Sequence, residues 1–158
     1  PRTAQLILDD LEKKAVLESK IRGKIRTYKL KKNRIAYDYL IFTEIYKKIA
    51  FLSENKIIKE IVEKIVQHIE GIGMLFGSYV KKKEKKESDI DLFVAGDIDR
   101  EEIEKIAKLY GKDIQIKNYP LSLFKKEIKN DVLIKEVLKD HVIIKGSEEV
   151  IELVMRNG

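Results

Sequence analysis

The apolar stretch Met74-Leu75-Phe76 runs into Gly77-Ser78, and after nine intervening residues comes Ser88-Asp89-Ile90-Asp91-Leu92. These residue types at this spacing fit one kind of chemistry. Glycine lets a backbone turn sharply and lets another group approach closely. Backbone N–H groups at such a turn, with the Ser78 hydroxyl, can cradle phosphate oxygens. In an extended chain Asp89 and Asp91 project to one face, while Ile90 and Leu92 go to the other. Two carboxylates about 7 Å apart along a strand face can share a hard divalent cation. Mg²⁺ takes one or two protein carboxylates and completes its shell with water and nucleotide phosphates. A phosphate-cradling turn beside a two-aspartate metal platform is what nucleotidyl transfer needs.

The surrounding sequence supplies elements that would hold these groups. Residues 72–76 and 89–94 read as buried strands. Residues 99–110 form an amphipathic helix with Ile103, Ile106 and Ala107 inward, stopped by Gly111. A third strand is expected over 113–116 and a short fourth over 141–144. Helices are expected over 121–128, 132–138 and 148–155. Strands alternating with helices indicate an α/β or α+β domain, a small mixed sheet with helices on one side. There is no internal repeat. His141 opens a short strand and reads as structural, and no His/Asp/Glu spacing suggests zinc.

The pattern Gly77-Ser78, nine residues, Ser88-Asp89-Ile90-Asp91-Leu92, with its apolar flanks, resembles the signature of the DNA polymerase β-like nucleotidyltransferase superfamily. Within it, the minimal nucleotidyltransferase branch is the nearest in spacing, and the resemblance covers about residues 65–155. It implies that Gly77 and Ser78 hold the triphosphate of an incoming nucleotide, with Lys82 and Ser88 as further nucleotide contacts. It implies that Asp89 and Asp91 ligate Mg²⁺. A third carboxylate on a neighbouring strand completes such sites. Asp113 is the candidate, but a register two residues off would put Gln115 there, and an amide is neither an anionic ligand nor a base. Lys82 stands where many relatives carry a glycine. It is either a cationic contact or part of a solvated charge run. The implied reaction is transfer of a nucleoside monophosphate, AMP from ATP, to a hydroxyl. The implied acceptor is a partner protein, as in antitoxins of two-gene toxin modules.

The first forty residues differ in kind. They hold eleven Lys+Arg and five Asp+Glu, so the whole net charge of +6 resides there. Such a concentration is either a footprint for nucleic acid or a solvated lysine-rich face. Residues 2–14 have helical spacing, and 16–30 read as a β-hairpin with a basic Arg22-Gly23-Lys24 tip. RTAQLILDDLEKKAVLESKIRGKIRTYKLKKN resembles the recognition helix and wing of winged-helix regulators. That resemblance implies that Arg2, Thr3 and Gln5 face DNA bases and that Arg22, Lys24 and Arg26 are wing contacts. The family carries two more helices ahead of the recognition helix, whereas this sequence opens at Pro1 with the recognition helix itself. The competing function is therefore a transcriptional regulator whose nucleotidyltransferase-like domain senses nucleotide. Residues 34–70 read as two helices broken near 53–55, a linker suited to homodimerisation. Tyr37, Tyr39, Phe42, Tyr46 and Phe51 would lie in a core or a subunit interface. The expected domains are thus 1–33, 34–70 and 71–158.

Composition sets the outer bounds. The chain has 158 residues, 38% charged and 44% hydrophobic, which fits one or two small globular domains. With no Cys, a disulfide scaffold, a thiolate metal site and a cysteine nucleophile are excluded. No apolar run reaches the roughly 18 residues of a membrane span, and the first residues lack a signal-peptide layout. A cytoplasmic protein that avoids membranes is the expectation. Abundant Lys and Glu with few Gln is a thermophile-like balance.

Overall fold

The structure is a computed structural model that describes residues 2–81 and 89–157. It divides into two units, Pro1–Thr43 and Glu44–Gly158.

The first unit opens with helix α1 (Arg2–Lys13) and a hairpin of β1 (Leu17–Arg22) and β2 (Ile25–Leu30). The hairpin closes through Gly23-Lys24 with Arg22 opposite Ile25. Gly23 has φ of 60°, the left-handed value that two-residue hairpin turns require. Helix α1 buries no residue. Among the described residues of this unit, only Val16 and Ala36 are buried. Helix α2 (Arg34–Glu54) follows. Asn33 caps it, accepting from the Ala36 N–H at 2.8 Å while its own amide donates to Ala15 O at 2.9 Å. The division between the units falls within α2.

The second unit is built on alternation. It contains α3 (Lys56–Ile65), β3 (Ile69–Phe76), β4 (Ile90–Ile98), α4 (Arg100–Leu109), β5 (Ile114–Tyr119), α5 (Leu121–Glu127), α6 (Val132–Lys139), β6 (Val142–Lys145) and α7 (Ser147–Asn157). The sheet order is β5-β4-β3-β6, with β4 parallel to β5 and the other pairs antiparallel. Every strand reads with period two, so its side chains sort to two faces. Ile90, Leu92, Val94, Leu75 and Ile116 join Ile58, Ile61, Ile65, Ile103 and Ile106 on one face. Phe93, Ala95, Met74, Phe76 and Ile143 join Phe124, Ile134, Val137 and Val150 on the other.

The small mixed sheet of an α+β fold is present as expected. The helices, expected on one side, cover both: α3 and α4 lie on one face, α5 to α7 on the other. The physical reason is that central strand β4 is apolar on both faces. Residues 56–65, read from sequence as linker, belong to the core of this unit through Ile58, Ile61, Val62 and Ile65. Helix ends follow local chemistry. Asp99 accepts from the Glu102 N–H at 3.2 Å to start α4, and Asp131 accepts from the Ile134 N–H at 2.9 Å to start α6. No helix among the described residues is long and apolar enough to cross a membrane.

Candidate functional site

Strand β3 ends at Phe76, and the chain turns at once. Lys81 N–H bonds back to Gly77 O at 3.1 Å, closing one helical turn over 77–81. Tyr79 is buried in the face shared with α3 and α4, which anchors the turn. Phe76 pairs with Asp91 across the β3–β4 ladder, so the turn emerges beside that aspartate. Gly77 has φ of 77°, and a Cβ placed on it would sit 2.0 Å from Asp91 Oδ2. The glycine is therefore required twice, by its backbone conformation and by the carboxylate packed against it. The backbone of Ser78 hydrogen-bonds the Asp91 carboxylate.

Asp91 is the second residue of β4 and Asp89 lies just ahead of the strand. Asp91 shares its face with Phe93 and Ala95, the face covered by α5 to α7. Burial is the main cause that pushes the Asp91 carboxyl above its ordinary value, and repulsion by Asp89 adds to it. Lys117 and the Ser78 hydrogen bond oppose the shift, while Glu136 reinforces it. A pair of like charges held this close is a destabilised arrangement that a cation relieves, so the donor set fits a divalent metal between Asp89 and Asp91.

The strand beside the pair is β5, and its register answers the question the sequence left open. Asp91 lies opposite Gln115 in the parallel ladder. The Gln115 amide donates to Asp89 Oδ2 at 2.8 Å. Asp113 precedes the strand, with its backbone carbonyl accepting from Ile90 N–H at 2.9 Å. Its side chain is exposed and does not complete a cluster: among the described residues, no three His, Asp or Glu gather closely enough to hold a metal. Gly77, Ser78, Asp89 and Asp91 are thus brought together, with Gln115 rather than Asp113 in contact with them. Lys82 and Ser88 lie outside the described residues.

Two site residues escaped the sequence reading. Lys117 follows Gln115 by two positions, so it shares that face of β5. Glu136, on α6, pairs with Lys81 at 3.8 Å. The period-two pattern of 113–117 carried a signal for Lys117; Glu136 needed the packing of α6 on the sheet.

In the first unit the candidate DNA contacts divide. Arg26 faces α1, pairing with Asp9 at 3.2 Å and with Glu12, and its guanidinium stacks 5.2 Å from the Tyr28 ring centre. Gln5 donates to Asp9 at 2.8 Å and to the Tyr28 hydroxyl at 2.7 Å. Both side chains join helix to hairpin. Arg22 alternates with Ile21 and so lies on the opposite hairpin face, together with Lys20 and Lys29. Lys24 is at the tip, and Arg2 and Thr3 are exposed on the first turn of α1.

Comparison with known proteins places the second unit. No curated protein matches the chain. One solved structure that matches is a crystal structure of a toxin–antitoxin with AMP-PNP, at 20% identity and a TM-score of 0.44, covering 63% of this chain and 83% of that one. The family described as polymerase beta, nucleotidyltransferase matches residues 55–149, from the start of α3 to the first turn of α7. With its strand-end glycine turn and paired aspartates inside that span, the chain belongs to the polymerase β nucleotidyltransferase family.

Proposed function

We propose that the second unit binds a nucleoside triphosphate, ATP in the first instance, together with Mg²⁺, and passes its nucleoside monophosphate to a hydroxyl. One observation carries this reading: Asp91 and Asp89 stand on one sheet face against the Gly77-Ser78 turn, with Ser78 bonded to Asp91. Asp89 and Asp91 would hold the cation, and the turn at Gly77 and Ser78 would receive phosphate oxygens. Mg²⁺, when bound, supplies charge neutralisation for the triphosphate and for departing pyrophosphate. Gln115 fixes the orientation of Asp89 but cannot take a proton from an acceptor hydroxyl. Asp113, exposed ahead of β5 and outside any cluster with the pair, is assigned to the acceptor hydroxyl and not to the cation. The acceptor class is a hydroxyl of a partner protein, on the strength of the motif's resemblance to the minimal nucleotidyltransferase branch and its antitoxins. Calorimetry of ATP binding with and without Mg²⁺ tests the reading. Mg²⁺-dependent binding that Asp89→Ala/Asp91→Ala abolishes supports it; binding unchanged by that double substitution refutes it.

A second reading concerns the first unit. The hairpin face bearing Lys20, Arg22 and Lys29, with Lys24 at the tip, is a basic surface suited to DNA phosphates. Autoregulatory DNA binding by a homodimer is compatible with nucleotidyl transfer in the same chain. The test is DNA affinity against salt. A steep decline with salt that flattens in Arg22→Ala/Lys24→Ala supports phosphate contacts. An unchanged slope refutes them.

A further inference from the structure

Strand β5 presents two side chains to the aspartate pair, and neither is an acid. Gln115 turns its NH₂ to Asp89 Oδ2 at 2.8 Å, so it brings a donor where a third carboxylate would bring an anionic oxygen. Lys117, two residues on along the same face, brings a positive charge to the Asp91 side. The other acid that acts on Asp91, Glu136, is engaged by Lys81. Among the described residues no third ligand of metal-binding type joins the two aspartates.

Charge counting then separates one cation from two. Asp89 and Asp91 carry two negative charges, which one divalent cation balances. A second would add two positive charges beside the Lys117 ammonium, and among the described residues no third acid gathers with the pair to meet them. Hard cations such as Mg²⁺ and Mn²⁺ demand oxygen ligands, and neither an ammonium nor an amide NH₂ is one.

We infer that this site takes a single divalent cation, between Asp89 and Asp91, and that Gln115 and Lys117 exclude a second. The inference rests on the nucleotidyltransferase reading above and sharpens it. Gln115 is a ligand-positioning residue, and Lys117 is the fixed positive charge on the side a second cation would approach. Binding of nucleotide and metal is then retained, while activation of the acceptor hydroxyl by a second metal is absent.

The test uses the whole chain and Mn²⁺ alone, counting bound ions by electron paramagnetic resonance of the free ion. Wild type binds one Mn²⁺, and Asp89→Ala/Asp91→Ala binds none. Gln115→Asp binds two. Lys117→Met still binds one, tighter by roughly tenfold or less, because one nearby like charge has gone. In Gln115→Asp/Lys117→Met the second ion binds tighter than in Gln115→Asp. Gln115 and Lys117 are exposed, so the variants at these two positions keep the wild-type melting temperature, which a thermal melt verifies. Two ions on wild type overturn the inference and leave the nucleotidyltransferase reading standing. One ion on both Gln115→Asp and Gln115→Glu overturns it in the same way. No ion on wild type, with no Mg²⁺-dependent ATP binding, overturns both.

Discussion

The two units of this chain position their functional side chains by different physics. In the second unit, Asp91 is held because its strand is buried on both faces: Leu92 and Val94 are fixed on one side, Phe93 and Ala95 on the other. In the first unit α1 buries nothing, and Arg26 and Gln5 tie it to the hairpin through Asp9, Glu12 and Tyr28. A site framed by apolar packing is insensitive to salt and costly to deform. One framed by half-exposed ion pairs is weak, and salt weakens it further. The charged residues of the first unit are thus partly consumed in holding it together, which is why Arg26 is a poor candidate for DNA while Arg22 remains a good one.

Phe93→Ala strikes the stronger unit and has the largest expected effect. Phe93 is fully buried directly after the Asp91–Leu92 pair, with Tyr119 and Phe124 rings 5.4 and 5.7 Å away. Its loss should destabilise the second unit by about 3–5 kcal/mol. Urea unfolding followed by circular dichroism reads it. A loss below about 1 kcal/mol would break the contrast, since the aspartate face would then not depend on its core. Gly77→Ala comes next. Its left-handed φ costs a Cβ-bearing residue about 1–2 kcal/mol, and the new methyl displaces the Asp91 carboxylate. Mg²⁺-dependent ATP affinity should fall at least tenfold in calorimetry while the fold survives. Affinity equal to wild type would show that the turn and the aspartate are not one site.

Arg26→Ala probes the weaker unit. Its partners are about a third exposed, so the two ion pairs together are worth about 1 kcal/mol at low salt. The expected signature is hydrogen exchange: amides of α1 and the hairpin lose protection, and those of β3 and β4 do not. The same loss should be reproduced in wild type by raising salt to about 1 M, where charges are screened beyond about 3 Å. Protection lost equally in both units would mean that they are framed alike.

The fold was legible where hydrophobic period and punctuation agree. Ile103, Ile106 and Ala107 with Gly111 marked α4, and Gly23 marked the hairpin turn. The aspartates were legible because a two-residue step fixes their common face. Two things were hidden for one reason, that single-strand periodicity says nothing about neighbours. The Asp91–Gln115 register depends on how β5 docks on β4, so sequence could name Asp113 and Gln115 but not choose. The placement of helices on both faces depends on which partner covers each side of β4, and a strand apolar on both faces reads only as buried. The role of α3 was masked likewise. Its repeat of Ile57, Ile61 and Ile65, carried on in sequence by Ile69 at the start of β3, is equally that of a dimer helix and of one packed on a sheet.

The smallest effect lies in a cluster that both kinds of physics share. Glu44 Oε2 has the Lys47 ammonium at 2.7 Å and His141 Nε2 at 3.3 Å, and all three side chains sit within the second unit. Burial opposes ionisation of Glu44, but His141 and Lys47 outweigh it and hold the carboxyl below its ordinary 4.5. The sign follows from linkage. A carboxyl whose folded value is lowered contributes stability above its unfolded value and loses it as pH falls through the folded one. Glu44→Gln should therefore cost less than about 1 kcal/mol near pH 7, and the gap to wild type should narrow as pH falls below the ordinary value of 4.5. Thermal melts of the pair at pH 7, 5 and 3.5 read this directly. A gap of the same size at all three pH values would assign Glu44 a packing role. This ion pair would then belong with the apolar framing of its unit and not with the salt-sensitive framing of the other.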